Sequence, residues 1–220
     1  MIINSRLKSF AFIFLITFFS LNAYASIESI QKDLNKNTNN SFQTLIEKWE
    51  KKYGTKIVPS LLKYAKDKSN SDQHRYITLM ASAKMGGPKI SKLLKPFFKD
   101  SSWMIRSAAL KIASAFGKSS SFDSEVKLLL HDKAWVVRSE AIDTLCRTKP
   151  KGYTNLLIES LFDPTNYHKG KAQFIPKKIL NNLEQNSLSL VQKQKIQSLA
   201  KEKFLKDAEF IKDLKKSMQS

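Results

Sequence analysis

An all-α solenoid of antiparallel helix pairs is the fold this sequence predicts, on three observations. A block of the chain recurs at a fixed spacing of 32 residues. The apolar residues inside each copy follow a helical period with no strand alternation between them. Three of the five arginines occupy one and the same position of the repeat.

The recurrence is visible by eye, and a fixed period of 20–50 residues marks a stacked array. Leu94, Phe97, Phe98, Asp100, Trp103, Ile105, Arg106, Ala109 and Leu110 are answered 32 residues later by Val126, Leu129, Leu130, Asp132, Trp135, Val137, Arg138, Ala141 and Ile142. A looser copy runs through Leu61, Tyr64, Ala65 and Asp67 to Arg75, Thr78, Leu79, Met85 and Gly86, with a turn two residues longer between Asp67 and Arg75. Gly86 stands 31 residues before Gly117. Each copy reads as a short apolar helix ending near the Asp and a second helix starting near Trp103 or Trp135. In the second helix Ile105, Ala109, Ile112 and Phe116 recur at steps of 4, 3 and 4, which is one face of a 3.6-residue helix. Two helices of this size cannot bury that face alone, so adjacent pairs stack and share a core.

The arginines are the most informative residues. The chain has 33 Lys and 5 Arg, yet Arg75, Arg106 and Arg138 fall at one repeat position. Such placement points to a need for the planar, bidentate guanidinium, since Lys supplies charge everywhere else. Asp100 precedes Arg106 by six residues, and Asp132 precedes Arg138 by six. The spacing predicts a structural ladder of Asp100, Arg106, Asp132 and Arg138. Each Asp accepts from turn amides while each Arg reaches a neighbouring repeat's Asp. A ligand-gripping arginine row is the competing reading.

Asp100-Ser-Ser-Trp-Met-Ile-Arg106-Ser-Ala-Ala-Leu110 and Asp132-Lys-Ala-Trp-Val-Val-Arg138-Ser-Glu-Ala-Ile142 resemble HEAT repeats, particularly the short phycobilisome-lyase type. The resemblance spans Pro59 to Lys149. It implies a right-handed superhelix whose second helices line the concave side, and binding of another macromolecule more often than catalysis.

Outside the repeats the chain divides by composition and punctuation. Arg6 and Lys8, the apolar run Phe10 to Leu21, and Ala23-Tyr24-Ala25 read as a secretory signal over residues 1–25, cleaved before Ser26, so the chain is expected to be exported, periplasmic or secreted. Residues 26–57 form an N-terminal helical cap. In it the Asn- and Lys-rich stretch 26–40 reads as a frayed helix or tail, followed by a helix that Ser41 caps and Gly54 ends, with Phe42, Leu45, Ile46 and Trp49 as its stripe. Residues 58–149 hold three repeats. Residues 150–186 hold a divergent fourth, in which Leu157, Leu161, Phe162 and Asp163-Pro164 begin a copy but Lys169 replaces the arginine. A loop is expected from Asp163 to about Phe174, with a helix restarting at Pro176. Residues 187–220 read as a Lys-rich helical cap with a break near Asp207.

No Gly-rich phosphate loop, His-Glu-x-x-His or paired cysteine spacing occurs, so the sequence predicts no catalytic, cofactor or metal residues and a non-enzymatic chain. His74, His131 and His168 are scattered and read as surface residues. Cys146, the only cysteine, shares a column of small residues with Ala83 and Ser114, which reads as close helix approach. Trp103 and Trp135 read as turn packing, with stacking on a ligand as the alternative.

Helical phase places Ser107 and Lys111 opposite the core positions Ile105 and Ala109. The repeat shift extends this strip to Tyr76, Met80 and Lys84, and to Ser139, Asp143 and Arg147. That strip is the expected contact surface for a protein or peptide partner. The net charge of +19, with basic flanks and a nearly neutral middle, keeps an anionic polymer or the envelope surface as the second partner class. Nucleic acid stands third, since some HEAT-like DNA glycosylases are basic and tryptophan-dependent; export argues against it.

Overall fold

A computed structural model describes residues 27–36, 41–116, 122–183, 188–201 and 206–218. They divide between Ile90 and Ser91 into two compact units. Almost all regular structure among them is helical, and none of these helices is long and apolar enough to cross a membrane. The expected signal segment, Gly117 and Ser187 lie outside the described residues.

The first unit contains α1 (27–36), α2 (Phe42–Tyr53), α3 (Val58–Lys66) and α4 (Asp72–Gly86). Over residues 27–36 the stretch expected to fray is a packed helix. Ile30 and Leu34 are buried, and Asp33 accepts from Trp49 Nε1 at 2.9 Å and Lys48 Nζ at 2.6 Å. The signal was present as Ile27, Ile30 and Leu34, an i, i+3, i+7 stripe masked by the surrounding Asn and Lys. Helix α2 starts and stops where its caps dictate: Ser41 Oγ accepts from Thr44 N, and Gly54 takes φ 57°. Leu45, Ile46 and Trp49 are buried, whereas Phe42 remains exposed.

The longer turn of the first repeat has a local explanation. Asp67 Oδ1 accepts from the Ser69 amide and hydroxyl, and Ser71 then caps α4 by accepting from His74 N. Arg75 is thereby the fourth residue of α4, as Arg106 and Arg138 are the fourth residues of their helices. At the far end a Cβ on Gly86 would stand 2.5 Å from Ile90 Cγ2 and 3.2 Å from Val58 Cγ1. Gly86 is therefore required by close approach, and the helix-ending positive φ belongs to Gly87.

The second unit contains α5 (Trp103–Phe116), α6 (Asp123–Leu129), α7 (Trp135–Thr148), α8 (Tyr153–Leu161), α9 (Phe174–Leu183), α10 (Leu190–Leu199) and α11 (Ala208–Ser217). The second repeat departs from expectation in its first half, where Gly87–Leu93 and Lys95–Lys99 are 3₁₀ turns instead of one α-helix. Pro88 and Pro96 each remove an amide from the i→i−4 ladder, and the chain uses i→i−3 bonds such as Phe97 N to Leu94 O and Asp100 N to Phe97 O. Apolar burial continues through the change: Phe97, Phe98 and Phe122 are buried, with the rings of Phe98 and Phe122 5.3 Å apart. α5 packs on α7, and α8 on α9. Ile105, Leu110, Val137, Ile142, Leu157, Leu161 and Ile179 fill the interior, each large aliphatic side chain contributing about 1.5–3 kcal/mol by leaving water.

The segment expected as a loop after Asp163 is ordered. A 3₁₀ turn, Pro164–Asn166, leads into an antiparallel two-residue hairpin, Tyr167–His168 with Lys171–Ala172. Lys169 and Gly170 both have positive φ, the backbone that a tight hairpin turn demands. Helix α9 begins at Phe174, so Pro176 sits in its first turn, where a missing amide costs nothing. The expected break near Asp207 is an N-cap: Asp207 accepts from Phe210 N and Ala172 N. This pins α11 to the hairpin.

Candidate functional site

Helices α5 and α7 each begin beside a turn whose carbonyls accept from the arginine one turn further on, whereas Arg75 of α4 donates to the Ala65 carbonyl of α3 and to the Asp72 carboxylate. In the second repeat this geometry is complete. Arg106 Nη1 donates to the carbonyls of Asp100 and Ser101 at 2.8 and 2.9 Å. Its Nε and Nη2 form a fork on Asp132, both at 2.7 Å, and the two side chains are 6% and 7% exposed. Asp132 also accepts from Ala134 N, and Asp100 accepts from Ser102 N. The ladder predicted from spacing therefore exists at Arg106 and Asp132, which join consecutive repeats.

One repeat later the arrangement changes. Arg138 Nη1 donates to the carbonyl of Asp132 at 2.7 Å and more weakly to that of Lys133 at 3.4 Å. Its Nε donates to Asn166 Oδ1 at 2.8 Å, so the carboxylate of the previous rung is replaced by a neutral amide. Asn166 is 1% exposed and uses its Nδ2 on the carbonyl of Ser160. Asp163, the residue that begins the fourth copy in sequence, is turned elsewhere. It accepts from Thr165 N and Oγ1 and lies 2.6 Å from His131 Nδ1. Burial pushes its carboxyl up, but these hydrogen bonds outweigh burial and hold it below the usual carboxylate range.

Above Arg138 lies a cleft of about 340 Å³ lined by Trp135, Arg138, Thr165, Asn166, Gln173, Phe174 and Ile175. Trp135 and Phe174 are the first residues of α7 and α9. Their rings meet edge to face at 5.9 Å and are 58% and 57% exposed. The reading of the tryptophans as turn packing is qualified: Trp103 and Trp135 are 46% and 58% exposed, so each is part packed and part open to solvent. A first helical residue points back over its own N-terminus, away from the layer beneath.

The predicted strip fares unevenly. Lys84, Lys111 and Arg147 are exposed, and Tyr76, Met80, Ser139 and Asp143 are half-buried. Ser107 is corrected to an interior residue at 4% exposure. Helix α5 is covered on most of its circumference, with Ser107, Ala108, Leu110 and Ala113 buried alongside the face of Ile105 and Ala109. Phase from one core face underestimates the cover on a helix enclosed from several sides. Several strip residues already have partners. Lys84 donates to Gln43 at 2.7 Å, and Lys111 lies 3.8 Å from Glu140. Lys178 of α9 bonds the Ser139 carbonyl, the Ser139 hydroxyl and the Asp143 carboxylate.

Among other reactive groups, burial pushes the Cys146 thiol up to about 11, with Asp143 adding to the effect. It is therefore protonated at neutral pH and a poor nucleophile. Among the described residues no three His, Cys, Asp or Glu side chains group as metal ligands. Sequence reasoning missed Asn166, Gln173, Phe174 and Lys178. These lie beyond the repeating block, where no second copy marks them out, although Arg138 itself required an acceptor from the next segment.

The family model described as HEAT repeats matches residues 58–146. No curated protein and no solved structure matches the chain.

Proposed function

For this chain, a HEAT-repeat protein over residues 58–146, we propose the role of an exported, non-enzymatic scaffold that holds another protein or peptide. HEAT repeats serve protein interaction, and fold alone leaves the site to be argued from residues. The observation that carries the reading is the second unit's surface. Lys111 on α5 and Arg147 on α7 stand there on helices tied by the Arg106–Asp132 fork, and Lys178 of α9 pairs with Asp143 of α7. Fixed polar groups on rigid elements bind a partner without an ordering cost. Export rests on the Arg6, Lys8, Phe10 to Leu21 and Ala23-Tyr24-Ala25 pattern.

The net charge of +19 favours a second reading, a binder of anionic polymers or the envelope surface, and salt separates the two. Protein recognition by the scaffold persists when capture from an envelope extract is repeated at higher salt, and K111E with R147E weakens it at unchanged Tm. Polymer binding falls steeply with salt and ignores those two substitutions. N-terminal sequencing of the exported protein should begin at Ser26; an intact Met1 chain in the membrane fraction contradicts export as proposed.

A further inference from the structure

Arg138 is 8% exposed, and its charge faces neutral acceptors only: the Asn166 side-chain oxygen and the carbonyls of Asp132 and Lys133. The Asp132 carboxylate nearby is held by Arg106. Arg138 Nη2 has no acceptor among the described residues, whereas Arg106 Nη2 is bound to a carboxylate at 2.7 Å. This buried, half-used guanidinium lines the cleft under Trp135 and Phe174. The N-termini of α7 and α9, helices of 14 and 10 residues, meet at the same cleft, and both favour negative charge there.

We propose that this cleft binds the C-terminal residue of a peptide, with the carboxylate on Arg138 Nη2 and an apolar side chain against Trp135 and Phe174. The occupant's class rests on the protein-binding reading above. A single free guanidinium edge matches a monoanionic carboxylate better than a phosphate, which asks for several donors. The two exposed rings supply apolar contact that a bare anion would not use. At about 340 Å³ the cleft has the size of a small-ligand pocket, enough for one terminal residue and its peptide bond. Thr165 and Gln173 on the lining offer polar groups to that bond.

The test titrates N-acetyl-Ala-Leu into the full chain, following Trp fluorescence and calorimetry, beside its C-terminal amide and inorganic phosphate. The expected result is saturable binding of the acid, with the amide at least about tenfold weaker and phosphate weaker than the acid. W135A and F174A, both at exposed positions, each weaken the acid several-fold at unchanged Tm. W103A, at the equivalent repeat position and outside the lining of this cleft, leaves it unchanged. R138K abolishes binding, and because this variant can also lose stability, the two aromatic variants carry the assignment independently. Equal affinity for acid and amide, phosphate binding as tight as the acid, or indifference to W135A and F174A overturns the proposal. Binding of the acid with no protein captured from extracts would retain the carboxylate site and reject the scaffold reading; capture that survives W135A and F174A while the acid fails to bind would do the reverse.

Discussion

Arg106 and Arg138 occupy the same repeat position, begin from the same local turn and end in different chemistry. Arg106 reaches into another copy of the repeat and finds Asp132, so charge meets charge in a fork with both side chains buried. Arg138 reaches into the segment where the repeat decays and finds Asn166, an amide on a 3₁₀ turn. The same guanidinium is structural where the next copy supplies a carboxylate and is left with a free edge where it does not. In an array, the last rung is the place where an internal tie becomes surface chemistry.

The sharpest way to break this comparison is to remove each guanidinium in turn. R106Q leaves the Asp132 carboxylate buried without its cation, which should cost about 3–5 kcal/mol. R138Q leaves only neutral acceptors behind and should cost about 1–2 kcal/mol. Denaturant midpoints give both values, and equal losses would erase the distinction.

A smaller effect separates fork geometry from charge. R106K keeps the cation but can offer only a point donor to Asp132, so a loss of about 1–3 kcal/mol is expected. K127A, at an exposed lysine, should stay within about 0.5 kcal/mol of wild type. Matching shifts from these two variants would show that the fork adds nothing.

The smallest effect concerns Asp163, which serves the turn and His131 in place of an arginine. Its carboxyl is held below the usual range, so the stability it contributes is present above the ordinary carboxylate pKa and is lost as pH falls through the lowered value. D163N should therefore lie below wild type by under about 1 kcal/mol near pH 7, and the gap should close as pH drops through about 4 and lower. A gap that stays open once the pH is well below the ordinary carboxylate range would contradict the assignment.

Legibility in the sequence followed the repeat. The Arg106–Asp132 tie could be read because two aligned copies gave both the residue types and the spacing; Ser41 and Gly54 could be read because each is a local backbone requirement, while Asp207 read only as a break and its capping role comes from the structure. The 3₁₀ character of Lys95–Lys99 was signalled by Pro96, but the apolar spacing alone does not separate 3₁₀ from α. Ser107 was misplaced because helical phase measures one face, and α5 is covered on several. The Trp135–Phe174 cleft brings together residues 39 apart across a hairpin, a contact that no local pattern specifies.

A pair of double-mutant cycles tests the central claim most directly: R106Q with D132N, and R138Q with N166A, each followed by denaturant unfolding. The account predicts a coupling of about 2–3 kcal/mol for Arg106 and Asp132 and a coupling of under about 1 kcal/mol for Arg138 and Asn166. Equal couplings, or a stronger one at Arg138, would contradict a ladder that is closed at Arg106 and open at Arg138.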